Sequence, residues 1–520
     1  MSYQHPSYSS TIVSMARGAG IVFIGIFLSR ILGYMLRILL KHVLGLETFG
    51  LLWSSYNIIE MVTFLCLLGI PNTLSRHIAF YKAQNNPQRV GGFIAMGFMV
   101  ITPLLIFVTF LLFWHVDYFA TTLFAKPDIQ PFLKILSFGV LPLALMFIFG
   151  SIFRGFKLMS HMVFTQQLSR NVFMLFAFAL LLVLGLKELA AWAMLLGLIL
   201  TLVAAIFQFM WHVEKKYITN IELAGVFREL LHYSWPLVFT TLFWNMSGRI
   251  DIFFLTIYEN ESNVGVYNAI LPLAQFVPVI MQSFISILMP IFSGIFAQYD
   301  RNALVAMQQA ATKWIFAFTA PLFLLLIIFS DSILLILLGK DTVIGAIPLT
   351  IAASGYFINA AFGVLNIILN AAGRTKLTLL NTSVYIVLNI LLDILLIPRY
   401  GLIGAAFAGA CSMFALNIFA AIENYRLYNL IPLDRQILYI SIVSIISGGV
   451  TMILKQLLPT QLQLVTIAVG SLLLILLYFG GLKRVHIFDQ NDLAIITALE
   501  KKFGVNLAVV RRFIGSQDAL

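Results

Sequence analysis

Charge is scarce in this chain: of 520 residues only 10% are Asp, Glu, Lys or Arg, while 61% are hydrophobic. An ordinary soluble domain is roughly 25% charged and about 45–50% apolar. A chain of this length cannot hide so much apolar surface and still cover itself with polar groups. The shortage excludes a soluble enzyme, a disordered protein and a nucleic-acid-binding module, so no nucleic-acid partner is expected. Cysteine is nearly missing as well. Cys66 and Cys411 both lie in apolar stretches, which rules out a disulfide framework, a zinc cluster or a CxxC pair.

Other signatures are missing too. There is no GxxxxGK[ST] loop, so the chain does not power itself by hydrolysing nucleotide. Neither HExxH nor a Ser/His/Asp arrangement is apparent; we expect no catalytic residue, no metal and no cofactor, and read the chain as a non-enzyme. Long polar loops are lacking, the longest being about 17 residues, so no soluble domain is inserted. No Lys or Arg precedes Arg17 and no small-residue cleavage site follows the first apolar run, which therefore reads as a retained signal anchor.

What the chain does have is apolar runs of spanning length, about 20 residues each. Fourteen such runs can be marked between 14–41 and 462–482. The expected fold is an all-α polytopic membrane protein of about fourteen transmembrane helices. The net charge of +11 is first a matter of topology, since Lys and Arg collect in cytoplasmic loops. With the N-terminus inside, one set of loops and the tail hold twenty Lys and Arg, and the opposite loops hold seven. Both termini are expected in the cytoplasm, with the chain multi-pass in the cell membrane.

An internal repeat divides the chain. Phe49-Gly50-Leu51 resembles Val264-Gly265-Val266, and Pro71, Tyr81, Gly155 and Asn171 match Pro290, Tyr299, Gly373 and Asn389 at offsets of 218 or 219. An offset covering an even number of spans implies parallel repeats related by an axis along the membrane normal. We therefore expect a six-helix bundle over 1–222, a second over 223–430, two added helices over 431–482, and a cytoplasmic amphipathic tail over 483–520.

Five basic residues remain inside spans: Arg30, Arg37, Arg170, Arg249 and Lys313. A charge at the bilayer centre costs at least ~2.5–3.5 kcal/mol and normally faces a polar interior. Arg30, Gly33, Tyr34, Arg37 and Lys41 share one helical face, a stripe roughly 16 Å long at the helical rise. Such a ladder suits phosphate or diphosphate, which arginine binds in bidentate fashion, the competing reading being that Arg37 and Lys41 snorkel to the outer interface. Asn245 and Arg249, four apart, share a face that is expected to look into a central cavity, an ion pair to another helix being the competing reading. Gln167, Arg170 and Asn171 form a polar face in the fifth span. Asn381, Tyr385, Asn389 and Asp393, at four-residue steps, form another in the eleventh. Glu60 either neutralises Arg30 or, like Asp251 and Asp393, is a candidate for coupling to H⁺ or Na⁺. Lys313 is expected to snorkel.

The segments RILGYMLRILLKHVLGLETFGLL (30–52), LLGIPNTLSRHIAFYKA (67–83) and LNILLDILLIPRYGLIGAAFAGA (388–410) resemble the polysaccharide transporter family. These are lipid-linked oligosaccharide and O-antigen flippases of the multidrug/oligosaccharidyl-lipid/polysaccharide exporter superfamily. The resemblance, over roughly 12–430, implies a flippase that moves a polyprenyl- or dolichyl-(di)phosphate-linked oligosaccharide from the cytoplasmic to the outer leaflet by alternating access. It implies that Arg30, Arg37 and Arg249 accompany the phosphate while Asn245 and Asn389 meet polar groups of the substrate. The partners it implies are the lipid-linked glycan, the bilayer, and glycosyltransferases or a polymerase of the same pathway. Two neighbours in the superfamily are the alternatives. A multidrug or cation antiporter would line its lobes with carboxylates rather than arginines. SRILGY (29–34) also resembles the lipid II flippases, but an arginine of their eighth span falls near Leu271 here, which favours the polysaccharide branch.

Overall fold

The computed structural model describes residues 8–487 apart from 187–188, 220, 247–248, 432–433, 458–462 and 486. Side chains are described from residue 24 onward, except at 236–237, 239–246, 283, 286–287, 290 and 297. Of the amphipathic tail expected over 483–520, residues 486 and 488–520 lie outside the described residues, as does the side chain of Asn245. Among the described residues there is no strand.

The principal helices are α1 (Tyr8–Leu44), α2 (Leu46–Cys66), α3 (Ile70–Ala83), α4 (Pro87–Trp114), α5 (Gln130–Ser137), α6 (Val140–Gly155), α7 (Ser169–Val183), α8 (Ala190–His212), α9 (Val226–Met246), α10 (Ile250–Tyr258), α11 (Glu261–Ala274), α12 (Val279–Gln298), α13 (Arg301–Ile328), α14 (Ala346–Phe362), α15 (Val364–Ala371), α16 (Thr375–Tyr428), α17 (Arg435–Leu457) and α18 (Gln463–Arg484). Helical segments lie over all fourteen apolar stretches of the sequence. Among the described residues nine helices are by themselves long and apolar enough to cross a membrane, or ten when Pro127–Ser137 and Val140–Gly155, bent by 46°, count as one span. The shortfall from fourteen has local causes. Several spans are broken into shorter helices, and α16 is a merger of two: Gly401 adopts φ 54° and ψ −127° within its 54 residues. That left-handed backbone is open to glycine at little cost, and Pro398 three residues earlier removes a backbone donor. Two spans therefore follow each other without a loop.

The described residues form two compact units, one within 21–269 and 386–408, the other within 1–20, 270–385 and 409–520. In the first, α2 crosses α11 at the glycines of the internal repeat. A Cβ on Gly50 would lie 2.1 Å from the Glu261 carbonyl oxygen, and one on Gly265 would lie 2.5 Å from that of Leu46. Small residues let helices pack backbone to backbone in this way. Asn57 Nδ2 donates to Asn268 Oδ1 at 2.7 Å along the same crossing. Further along, α3 meets α9: Tyr81 donates to Glu229 Oε1 at 2.8 Å, and the Thr73 and Ser234 hydroxyls are 2.8 Å apart.

In the second unit, Phe292, Ile315, Val364, Ile368 and Leu369 are buried together. Phe316, Ala320, Ile440, Tyr478, Leu482 and Ile487 form another cluster. Tyr478 satisfies its hydroxyl on the Ala317 carbonyl at 2.8 Å. Lys313 does not snorkel as expected. It is buried, and its Nζ approaches the Ile487 carbonyl at 3.5 Å, because Ile487 folds back onto this cluster and offers a carbonyl inside it. Asn381 binds Glu423 Oε2 at 2.7 Å here.

Candidate functional site: a carboxylate between arginines

Helix α2 carries Glu60 in the interior of the first unit, 5% exposed. Burying a carboxylate is costly unless charge and hydrogen bonds compensate it. Both are supplied. Arg170 Nη1 donates to Oε1 at 2.8 Å, and Arg249 donates to Oε2 from Nη2 at 2.9 Å and from Nε at 3.1 Å. Arg249 stands at the N-cap of α10, and its guanidinium carbon lies 5.1 Å from the Phe64 ring centroid.

Arg170 is placed by an irregularity. The helix leading into it makes a π-helical turn over Phe164–Leu168 before resuming α geometry at Ser169. Such single-turn bulges re-aim the side chains that follow. Its neighbour Asn171 ties the segment to α1, donating from Nδ2 to the Ser29 carbonyl at 2.8 Å and to Ser29 Oγ at 2.9 Å. Ser29 Oγ in turn donates to the Gln167 carbonyl at 2.8 Å. A Cβ at Gly33 would stand 3.1 Å from Asn171 Nδ2, so the α1–α7 approach is close beside the basic stripe.

Arg37 is a third guanidinium near Glu60 and Arg170. It lies over the Trp53 ring at 4.3 Å from the centroid, a cation–π contact strengthened by burial. Its Nη1 reaches the Gly33 carbonyl at 3.3 Å, while its buried Nε has no hydrogen-bond partner among the described residues. The Tyr56 hydroxyl, also buried, lies beside Arg170 and is an electrostatic neighbour of Glu60 and of all three arginines. The cluster thus sets three guanidiniums against one carboxylate. Arg30 is half-buried one helical stretch before Arg37 on α1.

A second polar centre lies in the same unit. Asp251 accepts from the Tyr267 hydroxyl at 2.9 Å and from Asn389 Nδ2 at 3.0 Å. Asp393, one turn beyond Asn389 and fully buried, is an electrostatic neighbour of Asp251. Its carboxyl is within hydrogen-bonding reach of that of Asp251, and Asn389 Oδ1 lacks a hydrogen-bond partner among the described residues. Two carboxylates and an amide oxygen therefore converge in a buried place with acceptor capacity to spare. Among the described residues no three His, Cys, Asp or Glu side chains are arranged to hold a metal ion.

Six of the expected site residues thus fall into two groups, Arg37, Arg249 and Glu60 in one, Asp251, Asn389 and Asp393 in the other. Arg249 is in an ion pair. Arg170 is legible in the sequence as part of a polar face and as one of the five basic residues inside spans, without its partner Glu60. Tyr267 carried no signal in the sequence, since nothing in its spacing relates it to Asp251.

Comparison with known proteins agrees with this architecture. The model of the polysaccharide biosynthesis protein family matches residues 15–296, more than half of the chain, and the MatE model matches residues 236–395. An uncharacterized membrane protein of Methanocaldococcus jannaschii is 23% identical over 488 residues, covering 90% of this chain and 95% of that one. A probable low-salt glycan biosynthesis flippase of Haloferax volcanii is 24% identical over 230 residues, 44% of this chain and 47% of its own length. In fold, the chain is similar to a lipid II flippase in an inward closed conformation, with a TM-score of 0.70 and 19% identity over 89% of this chain and 99% of that one. With its arginine-bearing first repeat inside the matched region, the chain belongs to the polysaccharide biosynthesis protein family.

Proposed function

We propose that the chain is a flippase for a polyprenyl- or dolichyl-(di)phosphate-linked oligosaccharide. It would carry the glycan from the cytoplasmic to the outer leaflet of the cell membrane by alternating access, with both termini in the cytoplasm, and without catalysing a covalent step. The observation that carries this reading is the surplus of guanidinium over carboxylate around Glu60, contributed by Arg37, Arg170 and Arg249. An interior this basic is expensive unless an anion enters it, and guanidinium matches the oxygens of phosphate in geometry as well as charge. The family match and the glycan flippase relative support the same substrate class. Arg30 continues the basic stripe along α1, and the lipid tail would stay in the bilayer while the head group passes.

The buried set Asp251, Asn389 and Asp393 supports coupling to H⁺ or Na⁺. Glu60 is less suited to that part, because its oxygens already face two arginines. Asp251 and Asp393, together with the MatE match, also favour a second reading, a cation-coupled multidrug antiporter. The lipid II flippase fold keeps a peptidoglycan precursor as the other alternative cargo.

Deleting the gene and identifying the lipid-linked intermediate that accumulates tests the reading. A polyprenyl- or dolichyl-linked oligosaccharide on the cytoplasmic face is the expected result, restored by the wild-type gene and not by Arg30→Ala at matched expression. Accumulation of lipid II, or no accumulation with altered drug resistance, would replace the reading by one of its alternatives.

A further inference from the structure

We infer that Glu60 is a built-in substitute for the substrate's phosphate, holding Arg170 and Arg249 in place until an incoming diphosphate takes their N–H groups from it. This inference rests on the flippase reading above and adds to it Arg170 as a phosphate ligand and Glu60 as an internal competitor.

Carboxylate and phosphate oxygens accept from guanidinium in the same forked geometry, and such charge-assisted bonds are roughly twice as strong as neutral ones. Glu60 uses this geometry on two arginines from separate helices, at 2.8 Å to Arg170 and at 2.9 and 3.1 Å to Arg249. Without an anion between them, two guanidiniums confined there would repel each other in a medium of low dielectric. The carboxylate therefore has a structural use while no substrate is bound. It is an incomplete answer, since one negative charge faces Arg170, Arg249 and, nearby, Arg37. A diphosphate brings more charge and more oxygens than a carboxylate does, so it can displace Glu60 and also serve the Nε of Arg37, which has no hydrogen-bond partner among the described residues.

The exchange needs somewhere for the released carboxylate to go. Tyr56 lies within electrostatic reach of Glu60 with its hydroxyl buried beside Arg170, and its O–H can donate to the carboxylate once the arginines turn away. The arrangement favours a dianionic head group over a monoanion, because only the former offsets the surplus of positive charge left by Glu60. It also favours release, since the competing anion is tethered beside the site and cannot diffuse away.

Binding of farnesyl diphosphate to the purified full-length protein in lipid nanodiscs tests this. Losing an internal competitor worth one or two charge-assisted bonds, Glu60→Gln should bind about tenfold more tightly than wild type. Arg170→Gln and Arg249→Gln should each bind at least about tenfold more weakly. Glu60→Asp, which keeps the charge on a shorter arm, should fall between wild type and Glu60→Gln, and guards against a Glu60→Gln protein that folds poorly. Thermal unfolding gives a second readout. Inorganic diphosphate should raise the melting temperature of Glu60→Gln more than that of wild type.

Wild-type binding with equal or weaker binding by both Glu60 variants would make Glu60 a scaffold and overturn the inference while leaving the flippase reading intact. Failure of wild type and both variants to bind any diphosphate would remove the flippase reading and the inference together.

Discussion

Gly50 and Gly265, which occupy corresponding places in the two halves of the repeat, lie against each other where α2 crosses α11, with a Cβ on Gly265 only 3.4 Å from the Gly50 Cα. Residues related by the repeat but 215 apart are thus in direct contact. Either side chain beyond hydrogen would have to be accommodated by moving a helix, because the atoms it would meet are backbone carbonyls.

The first prediction concerns that crossing. Gly50→Val should separate the helices and strain the Asn57–Asn268 bond, costing about 1–3 kcal/mol as overpacking does elsewhere. A lower melting temperature of the purified protein in detergent, relative to wild type, checks it. An unchanged melting temperature would mean that the two helices part easily.

Arg249 offers a test of geometry against charge. It donates twice to one oxygen of Glu60, which lysine cannot reproduce with a single ammonium group. Arg249→Lys should lower translocation at least about tenfold, nearly as far as Arg249→Ala, on the basis of one or two lost charge-assisted bonds. Lipid-linked glycan trapped on the cytoplasmic face, at matched expression, is the quantity to compare. Full activity in the lysine variant would show that charge alone suffices.

The acidic pair invites an ion-dependence experiment. Asp393→Asn keeps the shape but removes one of two neighbouring carboxyl groups. Transport by this variant and by Asp251→Asn should no longer respond to an imposed Na⁺ or H⁺ gradient, while the wild type should. A preserved response in both would place coupling elsewhere.

Tyr81 gives a dependence on pH whose sign can be worked out. Burial, together with its bond to the Glu229 carboxylate, raises the phenol above its ordinary value of 10.0. A pKa raised in the folded state means the stabilisation is fully present below the ordinary tyrosine range and fades as pH rises through the folded value. Tyr81→Phe should therefore lower stability by about 0.5–1.5 kcal/mol near pH 8, with the difference narrowing at more alkaline pH. Parallel unfolding curves for the two proteins provide the measurement.

The apolar runs gave the helices. The cost of burying charge also singled out Arg37 and Arg249. Pairing was another matter. Glu60 is 110 residues from Arg170 and 189 from Arg249, and helical periodicity relates only residues a few turns apart. The opposite faces of Arg249 and Asp251 were legible from their two-residue spacing, and each has joined a different cluster. Lys313 was misplaced for the same reason: the carbonyl that it approaches belongs to Ile487, 174 residues away.

The π-helical turn over Phe164–Leu168 has a consequence for the charge pattern downstream. One residue more than an α turn holds is taken up there, and each residue advances the helix by roughly 100°. Deleting one residue from this turn would leave α7 helical and equally apolar while swinging Arg170 about a quarter turn away from Glu60. The electrostatics of the interior are set here by register: a single surplus residue decides which way a positive charge points.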